Sequence, residues 1–503
     1  MEFLDYIVVA LFFVLMVIIG FASFKKVTSS GDFFVGGGKV PWWLAGISHH
    51  VSGYSGVVFV GYAAIAYENG FTIYVWWACS IAIACFIGAF TFAPRWSKLR
   101  KALHIESPTE YLATRYNVPA QQLMAWSGVI LKLFDVGAKW ASIGILLYGF
   151  TGLPISVGIL LSGIVSLLYI TIGGLWADLY TDLAQFIVQF LAGIVLFVAV
   201  MMHLGGTGSL MGIWHDLPEG HSNLFNGPYT GLFFIAVLGV NFLSYNGGTW
   251  NLAARYISSP SGKSATKAAL LSGVLYVFWP LVLFFPMWAA PLLDLPGMEH
   301  PSESYAILVQ QFLPAGLVGL VLAGMFANTM SMTTSDANTV SAVISRDILP
   351  RMFKRFQNLS QAQGLLLARI ATFVFTLLTL VIALENQRFG GVLGLIISWF
   401  LALVGAVSVP MMLGLLPVFK HADSKTAIGS ILGGLVAFIL TKMVFSVSLA
   451  VETGAPLFTA AFIFILASLL RRGKPVPAEV EELMEALAQP DEEDLPEVTK
   501  MIG

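Results

Sequence analysis

Three groups of side chains in this 503-residue chain could do chemistry, and all three lie in apolar surroundings. The first is the run Asn328-Thr329-Met330-Ser331-Met332-Thr333-Thr334-Ser335-Asp336, too polar for a helix face turned to lipid. A hard monovalent cation seeks such oxygen ligands: carbonyls, hydroxyls and a carboxylate. Asp182 adds a carboxylate just inside another hydrophobic stretch, where an unpaired charge is costly. The second group is Lys132, Asp135 and Lys139, which fall at roughly 0°, −60° and −20° around a helix, one narrow stripe. It either closes on Asp336 as a network of two lysines and two aspartates, or it leaves Lys139 free to meet a solute carboxylate. The third group surrounds two helix breakers, Val51-Ser52-Gly53-Tyr54-Ser55-Gly56 and Ser244-Tyr245-Asn246-Gly247-Gly248-Thr249. Around them Ser52, Tyr54, Ser55, Tyr74, Trp77, Phe242 and Tyr245 offer hydroxyls and aromatic faces that suit a sugar ring, or that pack as gates. His49 and His50 precede the first breaker, and a histidine could also carry a proton. No nucleophile stands beside a base, and Cys79 and Cys85 make neither a disulfide framework nor a zinc pattern. An enzyme is not expected.

The elements that must position these residues are membrane helices. Hydrophobic residues make up 57% of the chain and charged residues 11%, about half the charge of a soluble protein. The net charge of −2 speaks against a nucleic-acid partner. About thirteen runs are long enough to cross roughly 30 Å of hydrocarbon. They lie near 3–24, 43–67, 73–94, 122–150, 153–172, 177–203, 231–256, 266–290, 315–345, 362–384, 391–417, 426–448 and 454–470. The first has no basic leader or cleavage site and reads as a retained span rather than a signal peptide. Lysine and arginine collect after odd-numbered spans, the fifth excepted: Lys25, Lys26 and Lys39 after the first, Arg95 to Arg115 after the third, Arg255, Lys263 and Lys267 after the seventh. Arg346 to Arg355, Lys420 and Lys425, and Arg471 to Lys474 continue the pattern, whereas loops 204–230 and 291–303 hold none. The positive-inside rule then puts the N-terminus outside and the C-terminus in the cytoplasm of a plasma (cytoplasmic) membrane protein.

Both breakers interrupt spans that would otherwise run through the bilayer. Irregular backbone survives at that depth only where protein, water or ligand satisfies it, and a matched pair of broken spans points to the binding site of a secondary transporter. Each broken span opens a set of five, so 43–203 and 231–417 form an inverted repeat. Residues 1–24 are an extra N-terminal span, 426–470 two further spans, and 475–503 an acidic tail.

The sequence resembles the sodium:solute symporter family. The match is carried by Gly173-Gly174-Leu175-Trp176-Ala177 running to Thr181-Asp182 and Gln185, and by Ser30-Gly31-Asp32-Phe33-Phe34. Pro108-Thr109-Glu110-Tyr111 to Arg115-Tyr116, Arg255-Tyr256 and Ser345-Arg346-Asp347-Ile348 add to it. The resemblance covers residues 1 to about 470 and implies an all-α polytopic membrane protein of the leucine-transporter-type 5+5 inverted repeat. It also implies sodium-driven import of a small solute through the lipid bilayer, by a protein taken to work as a monomer. The family's main sodium site would use the carbonyls of Ser48, Val51 and Asn328 and the hydroxyl of Ser331. Its next hydroxyl position holds Met332, a soft and poor sodium ligand. The sialic acid branch implies a further site at Asp182, Ser331, Thr334 and Ser335. His50 falls where relatives place a substrate-contacting or polar residue, and Lys139 at or next to an arginine of the sialic acid branch. The solute is left as a sugar, an acidic sugar or a small carboxylate. A sodium-independent or proton-coupled carrier, prompted by Met332 and His50, and a sensing module that binds without transporting remain as alternatives.

Overall fold

The computed structural model describes residues 1–389 and 401–490, and apart from short turns it is helical. The helices used below are α1 (Phe3–Ser23), α2 (Trp42–Val51), α3 (Ala63–Asn69), α4 (Ser80–Thr91), α5 (Val118–Thr151) and α6 (Ile155–His203). They continue with α7 (Gly231–Leu243), α8 (Asn251–Ile257), α9 (Gly262–Ala289), α10 (Ser304–Phe312) and α11 (Leu317–Ala342). The last are α12 (Gln361–Leu384), α13 (Leu401–Leu413), α14 (Ser424–Ile439), α15 (Leu449–Leu470) and α16 (Ala478–Ala488). Side-chain caps start several of them: Asn117, Thr230, Ser261, Ser360 and Asp423 each accept a bond from the first-turn backbone. Gly152, in the left-handed region at φ 70°, ends α5.

Among the described residues, nine helices are long and apolar enough to cross a membrane. The thirteen expected spans relate to these nine in physical terms. The span at 43–67 is divided between α2 and α3. The span at 122–150 is α5, long enough but carrying Lys132, Asp135 and Lys139. The spans at 153–172 and 177–203 merge into α6, whose 49 residues exceed any single crossing and whose helical run is interrupted at Gly174 (φ 51°, ψ −141°). Part of the span at 391–417 lies outside the described residues, as does the end of the acidic tail.

The breaks themselves are where the sequence puts them. α2 stops at Val51, and regular helix resumes only through a π-turn at Val58–Tyr62. α7 runs into a π-turn at Ser244–Gly248, within which Gly247 (φ 129°) leaves helical geometry, and Trp250 (φ 69°) leaves it again before α8 begins. α6 packs along α11 and α1, α9 along α2 and α4, and α5 along α12. α13, α14 and α15 form a separate cluster that also touches α7.

Candidate functional site

The two breaks face each other. His49, in the last turn of α2, bonds through Nε2 to the carbonyl oxygen of Tyr245 (2.9 Å) and the Tyr256 hydroxyl (2.9 Å), and through Nδ1 to Ser272 (2.8 Å). The Tyr245 hydroxyl returns a bond to the Gly53 carbonyl at 3.3 Å. Backbone groups released by the breaks find protein partners. The amide of Gly56 donates to Thr329 on α11 (2.9 Å), Trp96 donates to the Asn246 carbonyl (2.8 Å), and Ser408 to that of Gly248 (3.1 Å). Broken backbone at this depth is thus held by side chains of other helices, the condition for its survival in a membrane.

Below the first break lies a buried ionic cluster. Ser331 donates to Asp182 Oδ1 at 2.5 Å, and Ser48 donates to Asp182 Oδ2. Thr334 and Ser335 donate to Asp178 at 2.6 and 2.8 Å, and Ser52 pairs with Ser335 at 2.9 Å. Through the cluster runs the guanidinium of Arg255, from α8. Its Nη2 stands 2.5 Å from Asp178 and 3.2 Å from Asp182, and reaches Ser52 (3.1 Å) and Ser335; its Nε reaches Ser48 (2.9 Å). Every one of these residues is buried. Four parts of the chain therefore converge on one point: α2 with its break, α6, α8 and α11.

The expected ion ligands divide accordingly. Asp182, Ser331, Thr334 and Ser335 are in the cluster, and Ser48 joins it by its hydroxyl, whereas its expected ligand atom, the carbonyl, accepts the Ser52 amide at 2.9 Å. The Val51 carbonyl accepts the Tyr54 amide at 3.1 Å, and the Asn328 side chain bonds back to Gly324 (2.8 Å) and lines a neighbouring cavity. Met332 is only half-buried, whereas the rest of α11 from Val321 to its end is buried. Two members of the cluster escaped the sequence reading. Asp178 is one helical turn from Asp182, a spacing that puts both on one face and could have flagged it. Arg255 counted as a loop charge after the seventh span; the structure corrects this, since it is a fully buried interior cation.

The lysine stripe is a second network. Lys132 bonds Asp135 (3.0 Å) and Asp336 (2.7 Å), and Lys139 bonds the same two carboxylates, each at 2.8 Å. It ties α5 to α11. A cavity of about 30 Å³ adjoins it, lined by Lys132, Asp135, Gly248, Thr249 and Trp250 among others, room for a water or two.

Of the expected solute contacts, His50, Tyr54, Trp77 and Tyr245 come together around Tyr276 of α9. Tyr54 and Tyr276 stack (5.4 Å between centroids, 6° between planes), and Trp77 meets both edge-on at 5.2 and 5.9 Å. His50 lies 4.9 Å from Tyr54 and 4.5 Å from Tyr276. Ser52 belongs to the ionic cluster instead, and Ser55 is buried in the break itself. Tyr74 donates to the Val277 carbonyl (2.8 Å), and Phe242 packs on Phe92 (5.5 Å).

Facing broken helices beside a buried, oxygen-rich ionic cluster define a secondary transporter of the leucine-transporter type. The chain belongs to the sodium:solute symporter family, whose sequence profile matches residues 33–436. It is similar to the sodium/sialic acid symporter SiaT of Proteus mirabilis (24% identical, covering 88% of this chain and 90% of that protein). It also resembles the sodium/glucose cotransporter of Vibrio parahaemolyticus, at 26% identity over 69% of each chain. Among solved structures, a Na+-coupled sialic acid symporter in a substrate-bound outward-open state superposes with a TM-score of 0.83 at 21% identity. That superposition covers 95% of this chain and 99% of that one.

Proposed function

We propose that this chain is a sodium-coupled symporter that imports a small organic solute by alternating access between the repeats 43–203 and 231–417. The reading sets it in the plasma membrane as a monomer, N-terminus outside. The observation that carries it is the charge balance of the ionic cluster: Asp178 and Asp182 are two buried carboxylates with one buried guanidinium between them. Burying a carboxylate without full compensation costs several kcal/mol, and a sodium ion among the Ser331, Thr334, Ser335 and Asp182 oxygens would supply the missing charge. Relatives named for sodium together with sialic acid, glucose or proline support sodium as the coupling ion.

Arg255 links that ion to the solute. Ion and guanidinium share the Asp182 carboxylate, so an arriving ion shifts Arg255 toward Asp178 and with it α8, the continuation of the second break. Solute sits between the breaks, against His50, Tyr54, Trp77 and Tyr245. One sodium ion entering down about 100 mV releases ~2.3 kcal/mol, and a tenfold gradient adds about 1.4 kcal/mol. Together they support roughly 500-fold accumulation of a neutral solute.

The test is sodium-dependent stability of the purified protein. Sodium replacing choline should raise the melting temperature, by linkage of about 2.7 kcal/mol when sodium is a hundred times its Kd. Ser331→Ala and Asp182→Asn should each abolish most of that rise. A rise that survives both substitutions, or no rise in the parent protein, refutes the assigned ligands.

A further inference from the structure

The tail of the chain carries a helix that takes no part in the ionic cluster. In α16 the apolar residues Val480, Leu483, Met484 and Leu487 follow the spacing i, i+3, i+4 and i+7, one stripe along the helix. All four are buried, while Glu479, Glu481, Glu482 and Glu485 are exposed. A helix of 11 residues is marginal on its own in water, so α16 draws its order from the surface it covers.

That surface is a hairpin of two arms, the helix Ala93–Leu103 and the short helix Leu112–Arg115, and α16 lies across both. Lys98 of the first arm donates to the Leu487 carbonyl (3.3 Å), at the end of α16 where a cation suits the helix dipole. Glu481 stands 3.8 Å from Lys420 in the loop after α13.

Each arm grips a different part of the molecule by its backbone carbonyls. On the first arm Trp96 donates to Asn246 in the second break (2.8 Å). Arg100 donates to Ile257 (2.8 Å) and Ser259 (3.2 Å), where α8 ends. On the second arm Arg115 donates to Gly414 (2.8 Å), Ala422 (2.8 Å) and Phe419 (2.6 Å), and Tyr111, just before it, donates to Met411 at the end of α13. By bridging the arms, α16 ties the end of α8 to the cluster of α13, α14 and α15. Ser258, Ser259 and Ser261, which follow α8, are fully buried, so this side of the molecule is shut.

Alternating access needs one group of helices to move against the rest. With α16 docked, the two arms move only together, and α8 stays with the cluster. We propose that α16 is a strap that holds the cytoplasmic side shut, and that its release lets this side open. The proposal rests on the reading of the chain as an alternating-access carrier with its C-terminus in the cytoplasm.

The experiment uses the full-length protein in lipid nanodiscs, where a water-soluble maleimide reaches both sides. Ser259→Cys reports the side under α16. Thr72→Cys reports the other side, because Thr72 precedes and Ala93 follows the same span; Thr72 is buried as well. Labelling is counted above that of the parent protein, which carries Cys79 and Cys85. Its rate follows the fraction of time that a buried site is open. Leu483→Asp places a charge in the docked face, and Lys98→Ala loosens the strap without altering α16 itself. Leu483→Asp should raise labelling at Ser259→Cys at least fivefold, and Lys98→Ala should raise it by a smaller factor, with no rise at Thr72→Cys. Glu482→Gln, on the exposed face, should change neither site. An equal rise at both sites would mean that α16 only stabilises the fold, and no rise at Ser259→Cys would mean that it holds nothing shut; either result overturns the proposal. The rise in melting temperature with sodium is measured on the same variants without label. Its absence in the parent counts against sodium coupling and leaves the labelling comparison standing. Its persistence in Leu483→Asp shows an interior still folded, and where that variant loses it, Lys98→Ala decides.

Discussion

Arg255 concentrates the energetics of the site in one side chain. It is fully buried, bonded to two carboxylates and to hydroxyls of Ser48, Ser52 and Ser335. Removing one partner of a buried ion pair costs about 3–5 kcal/mol, because the other charge is stranded without water. Arg255→Ala strands two carboxylates and should destabilise by at least that much in potassium. Sodium should then recover more of the melting temperature than it does in the parent, since the ion meets a site with greater negative charge. Asp178→Asn added to Arg255→Ala should return a large part of the loss, giving a coupling energy well above 1 kcal/mol in a double-mutant cycle. Additive effects of the two substitutions would mean that the pair is incidental. Arg255 also shows where reading a sequence falls short. Charge counting treats arginines near a span end as equivalent, and only three-dimensional packing separates a loop cation from one drawn inward between two aspartates. Asp182, Ser331, Thr334 and Ser335 were legible because polar residues in an apolar run need a partner. That the buried amide of Gln189 has no hydrogen-bond partner among the described residues was not legible, because a glutamine in a helix gives no sign in sequence of whether its amide is satisfied.

At the scale of elements, the breaks depend on glycines that make room. A Cβ at Gly128 of α5 would come within 2.1 Å of the Trp250 ring, whose backbone is itself held at φ 69°. The indole is rigid and its backbone already strained, so it cannot retreat cheaply. Gly128→Ala should cost about 1–3 kcal/mol by overpacking, read as a lower melting temperature; an unchanged value would show that the Trp250 turn is mobile. The positions of both breaks were legible because clustered Ser, Gly and Thr cannot continue a lipid-facing helix. What held the second break was not, since Trp96 and Ser408 come from segments distant in sequence. A different element tests surface electrostatics. Asp423 caps α14, accepting from the Thr426 amide (2.9 Å) and hydroxyl (2.8 Å) and facing Arg471 at 3.0 Å. Partial burial pushes its carboxyl up, but the Thr426 bonds and the Arg471 charge outweigh it and hold the group below its ordinary value. A carboxyl lowered on folding adds stability that is complete above its unfolded pKa of about 4 and is lost as pH falls through the lowered value. Asp423→Asn keeps a capping side chain and should flatten the acid limb of the stability curve while leaving neutral stability within about 1 kcal/mol; a parallel acid limb would contradict the assignment.

For the whole molecule the question is how much charge crosses the membrane in one cycle. The outline of the answer was visible in the sequence: two broken spans in matching halves, with polar helices beside them. Its value was not, because Lys132, Asp135 and Lys139 admitted both a closed network and a lysine free to bind an acid. The bonds of both lysines to Asp135 and Asp336 make that network neutral, so the uncompensated charge belongs to Asp178 and Asp182. On the proposed reading one sodium ion balances it, and an uncharged solute would add no charge of its own. A carrier loaded in that way should move one net positive charge inward per solute. A potential of 100 mV, negative inside, adds about 2.3 kcal/mol to each inward step, equal to roughly 50-fold in accumulation. A monoanionic solute travelling with one sodium ion moves no net charge and gains nothing from the potential. Proteoliposomes with a fixed sodium gradient and a potassium diffusion potential separate the two cases. Steady-state accumulation of an uncharged solute carried with one sodium ion should climb about tenfold for each 60 mV of imposed potential. Accumulation that ignores the potential would mean either that the solute brings its own negative charge or that Arg255 and the aspartates are balanced by something other than a transported ion.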